Sequence, residues 1–126
     1  MGGRVVHFEV PYDDGERARS FYGDVFGWKI ESIPELRYDI VSTGPATAEG
    51  RPSEPGYVGG GMTQRAGHVT QPVITIEVDD VASTLEKIRS SGGAAVGEPI
   101  PVGDMGIAAY FTDSEGNLMG LWQSTG

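Results

Sequence analysis

Two polar side chains in the first predicted strand are the residues of this sequence best placed to do chemistry. His7 and Glu9 stand two positions apart in VVHFEV, and because side chains alternate along a strand, both lie on one face. Histidine titrates near neutral pH and a carboxylate exchanges protons or binds cations, so the pair could act in acid–base catalysis. The alternatives for His7 are a metal ligand and a hydrogen-bonded structural residue.

A second copy of this pattern begins in the middle of the chain, at VITIEV. Glu77 corresponds to Glu9 when the strand ends are aligned, whereas alignment on the helix starts pairs Glu9 with Thr75. Two carboxylates that face one cavity raise each other's pKa, which favours acid–base work. His7, Glu9 and Glu77 are therefore the predicted catalytic residues. The alternative is that both carboxylates are solvated or paired with arginine at the rim of the sheet.

The elements around these strands repeat one unit twice. VVHFEV is followed by a turn and by an amphipathic helix, which begins at Asp13 or Asp14, places Tyr22 and Phe26 in the predicted core and ends at Gly27. The second helix lies between Asp79-Asp80 and Gly92-Gly93. Further strands are predicted from period-two patterns and turn residues at 28–30, 36–42, 57–64, 73–78, 95–96, 107–112 and 117–123.

This internal repeat decides the predicted fold. It is an α+β fold of two βαβββ modules, about 1–66 and 67–126, within one domain spanning 1–126. In pseudo-twofold arrangement the modules form a curved, mixed sheet of about eight strands, with helices on the outer face and a cup on the other. Residues 43–56 predict a surface loop. The run Gly59-Gly60-Gly61 implies either a bulge or a close approach to the backbone.

Composition narrows the class of protein. The 126 residues suffice for one compact domain, and the net charge of −9 disfavours contact with nucleic acid phosphates. No apolar run approaches the roughly 20 residues of a membrane helix, so no membrane partner is expected. The absence of cysteine excludes disulfides and thiolate metal sites. A cytoplasmic location is the default expectation.

Three stretches resemble the vicinal oxygen chelate superfamily, which includes glyoxalase I, extradiol dioxygenases, fosfomycin-resistance enzymes and bleomycin-resistance proteins. They are HFEVPYDDGERARSFYGDVFGW, IEVDDVASTLEKIRSSGG and YFTDSEGNLMGLWQ. Within this superfamily the chain looks like small bacterial glyoxalase-like proteins. The resemblance implies the two-module fold, a small-molecule ligand and a homodimer.

The resemblance also implies four metal ligands that face the cup. His7 falls at the first of these positions, and the strand at 57–64 offers no glutamate for the second. Val73 and Gly120 fall at the third and fourth, and neither side chain binds metal. The resemblance therefore implies that the usual metal site is largely lost and that no cofactor is bound. The alternative is a divalent metal at a rearranged centre of His7, Glu9 and Glu77.

Four further residues are predicted to contact a ligand in the cup: Met62, Thr75, Gly120 and Trp122. Gly120 opens space and Trp122 can stack on a ligand, although plain core packing is the alternative for the tryptophan. The predicted function is that of a glyoxalase-like small-molecule-binding protein or enzyme, which holds an organic metabolite. The alternatives are a metal-dependent lyase, isomerase or dioxygenase at the rearranged centre, and sequestration of a cationic antibiotic in the manner of bleomycin-resistance proteins.

Overall fold

A mixed sheet of eight strands and two helices make up the fold of a computed structural model, which describes residues 3–48 and 51–125. The strand order is β2-β3-β4-β1-β5-β8-β7-β6, and both β1 with β4 and β5 with β8 run parallel. This confirms the predicted α+β class. The elements in chain order are β1 Arg4–Tyr12, α1 Gly15–Phe26, β2 Lys29–Ile33, β3 Tyr38–Ser42, β4 Gly59–Gln64, β5 Val73–Glu77, α2 Val81–Ser90, β6 Ala94–Val102, β7 Gly106–Thr112 and β8 Leu118–Ser124.

The chain divides into two compact units, which are described separately. The His7 unit comprises His7–Pro72, and the Glu77 unit comprises Met1–Val6 with Val73–Gly126. The first residues of β1 therefore belong to the Glu77 unit. None of the described helices is long and apolar enough to cross a membrane.

Helix α1 of the His7 unit is capped by Asp14 at its start and by Gly27 at its end. The Asp14 side chain accepts a hydrogen bond from the backbone N–H of Arg17 at 3.0 Å, so Asp14 and not Asp13 is the N-cap. Gly27 adopts a left-handed conformation (φ 71°) and its N–H donates to the carbonyl of Gly23. This conformation is uncommon for residues other than glycine and ends the helix.

The apolar stripe of α1 is less buried than its spacing predicts. Tyr22 stacks on Trp28 with ring centroids 4.8 Å apart, and Trp28 contacts Phe8 of β1. Phe26, however, is 60% exposed, so its prediction as a core residue is wrong. It lies in the last turn of the helix, where the aromatic rings pack on one another at the surface and not beneath the sheet.

Strand β3 starts two residues later than predicted. Pro34–Leu36 form a 3-10 turn, and Arg37 after it is left-handed, with φ 51°. Proline fixes φ at a value that suits the start of such a turn, which delays extended pairing until Tyr38. The prediction of residues 36 and 37 as strand is therefore wrong.

Two of the three glycines of β4, Gly60 and Gly61, make room for side chains from neighbouring strands. The pairing of β1 with β4 is continuous from His7 opposite Gly59 to Tyr12 opposite Gln64, so there is no bulge. A Cβ atom on Gly60 would lie 2.6 Å from the Phe8 ring, and one on Gly61 would overlap the Tyr38 phenol. Of the two sequence-based explanations, close approach to the backbone is confirmed.

The Glu77 unit has a single apolar core between α2 and the sheet. Its buried members are Val81, Leu85, Ala109, Phe111 and Leu121. Strand β6 is longer than the short strand predicted at 95–96, and its pairing with β7 shifts register between Val96 and Ile100. Asp113 accepts backbone hydrogen bonds from Glu115 and Asn117, which forms the predicted turn.

Replacing Asp80 by alanine is expected to lower the free energy of unfolding by about 1 kcal/mol, the usual effect of losing an N-cap. The Asp80 side chain accepts from the backbone N–H of Ser83 at 3.2 Å at the start of α2. Urea unfolding monitored by circular dichroism measures the change. Asp79→Ala removes the same charge one residue earlier and serves as control, so equal losses in the two variants would contradict a capping role.

Candidate functional site

His7 and Glu9 share one face of the sheet in the His7 unit, as predicted from the alternation in VVHFEV. Glu9 pairs with Gly61 of β4, and Gly61 pairs in turn with Ile40 of β3. Directly paired residues point to the same side of a sheet. Tyr38, two positions before Ile40, therefore lies on this face as well, which we call the His7 face.

Tyr38 joins the two predicted catalytic residues. Its hydroxyl donates to Oε2 of Glu9 at 2.9 Å and lies 2.8 Å from Nε2 of His7. The phenol crosses over Gly61, where any larger residue would collide with it. The glycine in β4 is thus the feature that lets a side chain from β3 reach β1.

The hydrogen-bond directions fix the tautomer of His7. A phenol carries one proton, and Tyr38 donates it to Glu9. The Nε2 atom of a neutral His7 must therefore carry a proton and donate it to the Tyr38 oxygen. This leaves the lone pair of Nδ1 as the proton acceptor of the ring.

Burial keeps this group in its neutral form. Desolvation lowers the pKa of His7 below its ordinary value of 6.5, and the nearby Glu9 carboxylate opposes that shift without cancelling it. Glu9 itself is only 8% exposed. A neutral imidazole with a free nitrogen, bonded through a phenol to a buried carboxylate, is suited to accept a proton.

Acidification is expected to destabilise the protein through His7. The unfolded chain binds a proton at His7 near pH 6.5, whereas the folded protein resists protonation until a lower pH. The stability that is fully present above pH 6.5 is therefore lost as the pH falls from 6.5 through the lower pKa of the folded state. His7→Gln should lose less stability than wild type between pH 8 and pH 5 in urea unfolding. An equal loss in both proteins would show that His7 makes no contribution.

A cavity of about 710 Å³ lies at the β2–β3 edge of the His7 unit, and its lining does not include His7, Tyr38 or Glu9. Lys29, Glu31 and Ile40 line it and share the His7 face, because Glu31 pairs with Ile40. The loop after β3 closes one side of the cavity, and its remaining lining residues are Gly27, Ile30, Ser42, Thr43, Gly44, Pro45, Ala46, Thr47 and Ala48.

Two hydrogen bonds hold this loop in place. Thr43 donates its hydroxyl to the carbonyl of Val58 at 2.8 Å, and Tyr57 donates to the carbonyl of Pro45. The predicted 43–56 loop is confirmed where it is described, and its residues 49 and 50 lie outside the described residues. The cavity wall is thus tied to the strand that carries Gly61.

The predicted site residues of the Glu77 unit also lie in register. Thr75 pairs with Gly120, and Glu77 pairs with Trp122. A Cβ atom on Gly120 would lie 2.8 Å from Oγ1 of Thr75, so the glycine makes room for the side chain of a buried threonine. That it also opens space for a ligand stays a prediction. Glu77 is exposed. Its predicted grouping with His7 and Glu9 stays a prediction.

Met62 occupies a different place from the other predicted residues of the His7 unit. It pairs with Val10 of β1 and with Asp39 of β3, so it lies on the face opposite His7. Its side chain is fully buried. This placement favours a packing role for Met62 and does not favour contact with a ligand on the His7 face.

The donor set at the family's four metal positions does not fit a metal ion. His7 hydrogen-bonds to Tyr38, and its strand neighbour on β4 is Gly59. Val73 and Gly120 supply no donor atom from their side chains. Within residues 3–48 and 51–125, no three His, Cys, Asp or Glu side chains are grouped to hold a metal.

Sequence reasoning missed Tyr38 as a functional residue. The signal was present but indirect, since a glycine run in one strand predicts a large side chain crossing it from another. Identifying that side chain requires the register of β3 against β4, which sequence periodicity does not give.

This chain is similar in sequence to known proteins. A family model described as "Bleomycin resistance protein-like N-terminal" matches residues 4–44. A glyoxylase-like domain-containing protein of Didymella fabae is 29% identical over 122 residues, which cover 93% of this chain and 91% of that protein. A lactoylglutathione lyase of Salmonella typhimurium is 32% identical over 123 residues, which cover 90% of this chain and 87% of the lyase.

A solved structure has the same fold across its whole length. Methylmalonyl-CoA epimerase in complex with methylmalonyl-CoA and NH4+ aligns with a TM-score of 0.65 and 17% identity, covering 99% of this chain and 96% of the epimerase chain. At that identity the likeness concerns the fold, because one fold hosts many chemistries.

Proposed function

This chain belongs to the vicinal oxygen chelate superfamily, and on that premise we propose that it binds a small organic metabolite on the His7 face of the His7 unit. The observation that carries the proposal is the His7–Tyr38–Glu9 hydrogen-bond chain. A cavity of about 710 Å³, whose lining includes Glu31 and Ile40 of the same face, supports it. That volume is within the range of small-molecule sites.

In this proposal the residues of the chain move one proton. An acidic proton of the ligand passes to Nδ1 of His7, and the imidazolium that forms keeps its Nε2–H hydrogen bond to Tyr38. The Glu9 carboxylate, reached through the phenol, stabilises the positive charge at a distance. Lys29 is the cation of the cavity wall that could face the anion left on the ligand.

The usual metal site of the superfamily is proposed to be lost. The support is chemical, since His7 alone of the four family positions carries a metal-binding side chain. Metal analysis of protein purified without chelator tests this, with far less than one Ni, Zn, Fe or Mn per chain expected. One metal per chain, abolished by His7→Ala, would instead support the alternative of a lyase, isomerase or dioxygenase at a rearranged centre of His7, Glu9 and Glu77.

Binding is tested with thioester probes, because relatives of this chain include a lactoylglutathione lyase and the compared structure is a methylmalonyl-CoA epimerase. S-lactoylglutathione and methylmalonyl-CoA are titrated into protein labelled with ¹⁵N at histidine. The chain has two histidines, so His68, which is exposed in the linker between β4 and β5, is the internal reference. Saturable shifts at His7 alone support the site, whereas binding of a probe that leaves His7 unchanged contradicts it.

Three further expectations rest on the family resemblance or on composition and not on the geometry of the site. Homodimer formation rests on the family resemblance and is checked by light scattering coupled to size exclusion. A cytoplasmic location rests on composition. Sequestration of a cationic antibiotic rests on the net charge of −9 and on the resemblance to bleomycin-resistance proteins, and calorimetric titration with bleomycin tests it.

A further inference from the structure

A second cavity in the His7 unit lies next to the Pro34–Leu36 turn, and of the His7–Tyr38–Glu9 chain only Tyr38 contributes to its lining. Its volume is about 410 Å³. Asp39 and Ser32 are paired across β2 and β3, and Asp39 pairs with Met62, so these lining residues belong to the face opposite His7. The lining consists of Tyr12, Arg19, Ser32, Pro34, Arg37, Tyr38, Asp39 and Gln64.

The charge of this lining differs in sign from that of the whole protein. The chain carries −9, yet the cavity is lined by two arginines and by one carboxylate, Asp39, which gives the lining a net charge of +1. Hydroxyl groups of Tyr12 and Ser32 and the amide of Gln64 add neutral hydrogen-bonding groups. The combination suits an anion and not a cation.

Arg19 is held in place by a buried partner. Its Nη1 atom lies 2.9 Å from Oδ2 of Asp39, which is 1% exposed. The hydrogen bond that Arg19 donates to Asp39 raises the pKa of Arg19, and a contact with Tyr12 contributes in the same direction. A guanidinium has five N–H donors, and the ion pair with Asp39 uses one of them. The side chain is therefore preorganised, with donors left for another acceptor.

Arg37 is held in a backbone conformation that does not suit its residue type. Its φ of 51° is the only positive value among the described residues other than glycine. Two hydrogen bonds stabilise this backbone. The N–H of Arg37 donates to the carbonyl of Pro34, and the Thr63 hydroxyl donates to the carbonyl of Arg37. Glycine or asparagine would make both contacts with less strain, so the backbone supplies no reason for arginine here. Arg37 lines the cavity, and its side chain offers a function that glycine and asparagine lack, a planar positive charge.

We propose that this cavity binds the carboxylate or phosphate group of a small metabolite, with Arg19 and Arg37 as the two guanidinium groups that face the anion. Planar guanidinium groups bind both kinds of oxyanion through paired N–H donors. Neither arginine belongs to the proposed metabolite site, with which this cavity shares only Tyr38, and the test does not depend on that proposal.

Calorimetric titration with inorganic phosphate and, separately, with acetate tests this at constant ionic strength set by chloride. Saturable binding of at least one anion is expected in wild type. Arg37→Gly should weaken that binding at least fivefold while the melting temperature stays equal or rises, since glycine relieves the left-handed strain. Arg19→Lys, which keeps the charge but not the planar fork, should also weaken it.

Arg51→Gly is the control, because it removes one positive charge from an exposed loop position outside the cavity. This variant should bind like wild type. The proposal is overturned if neither anion binds saturably, if Arg37→Gly binds as wild type does, or if Arg51→Gly weakens binding as much as Arg37→Gly. Preference for phosphate over acetate, or the reverse, identifies the group on the natural ligand.

Discussion

Replacing Arg19 by methionine is expected to lower the free energy of unfolding by about 2–4 kcal/mol, because the change leaves a buried carboxylate without its cation. Asp39 is 1% exposed and its Oδ2 lies 2.9 Å from the Arg19 guanidinium. Arg19 itself is 34% exposed, so water reaches the pair from one side and keeps the effect below that of a fully enclosed ion pair.

The double variant Arg19→Met/Asp39→Leu distinguishes the attraction within the ion pair from the free-energy cost of removing both charges from water. Removing both charges is expected to restore most of the lost stability, since an apolar pair of similar volume replaces two desolvated ions. Urea unfolding of the four proteins of the cycle measures the coupling. Arg65→Met is the control, because Arg65 pairs with Asp13 at the surface, and its loss should cost less than about 1 kcal/mol. A loss for Arg19→Met no larger than for Arg65→Met would refute the argument.

The Arg19–Asp39 pair could not be predicted from the sequence. Alternation in the third predicted strand places Asp39 on the same side as Val41, and a carboxylate at such a position is seldom buried unless it is paired. Its partner comes from a helix 20 residues earlier, so no local pattern identifies it. The packing of α1 on the sheet must be known before the pair can be recognised.

Local periodicity was sufficient for the faces of β1. The alternation of VVHFEV places Val6, Phe8 and Val10 on the side opposite His7 and Glu9, and Phe8 contacts Trp28 just after α1. His7 and Glu9 were predicted on the other side, where they meet through Tyr38. A period of two is a property of single strands, so it can be read without knowing which strands are neighbours.

Burial of the helix stripe could not be predicted in the same way. Spacing identified Tyr22 and Phe26 as one face of α1, but it does not say how much of that face is covered. Coverage depends on how many strands lie beneath each turn of the helix, and the last turn carries Phe26 to the surface. Met62 shows the reverse case, since it was predicted to contact a ligand in the cup while it is fully buried on the opposite face of the sheet.

Replacing Gly61 by alanine is expected to break the His7–Tyr38–Glu9 chain while leaving the fold intact. The added Cβ overlaps the Tyr38 phenol, the far end of a side chain that can rotate away, so the backbone need not move. Rotation removes the hydrogen bonds to His7 and Glu9. Hydrogen bonds to charged groups contribute about 1.5–3 kcal/mol, so an equivalent loss in probe affinity is about 10- to 100-fold.

Gly61→Ala is expected to change the tautomer of the His7 ring and not only the stability of the protein. ¹⁵N spectra of His7 should lose the single Nε2–H tautomer, as in Tyr38→Phe, because neither variant offers the phenol oxygen to Nε2. Gly23→Ala is the control, since its Cβ would meet only the Trp28 carbonyl, at an ordinary 3.7 Å, and alanine favours the helix.

A double variant shows whether Gly61 acts only through Tyr38. If its one role is to make room for the phenol, Gly61→Ala should have little further effect on the His7 spectrum or on probe affinity once Tyr38 is alanine. The two changes would then be strongly non-additive. Additive losses would mean that the Gly61 backbone itself contacts the ligand, and an unchanged His7 tautomer in Gly61→Ala would disprove the part assigned to Tyr38.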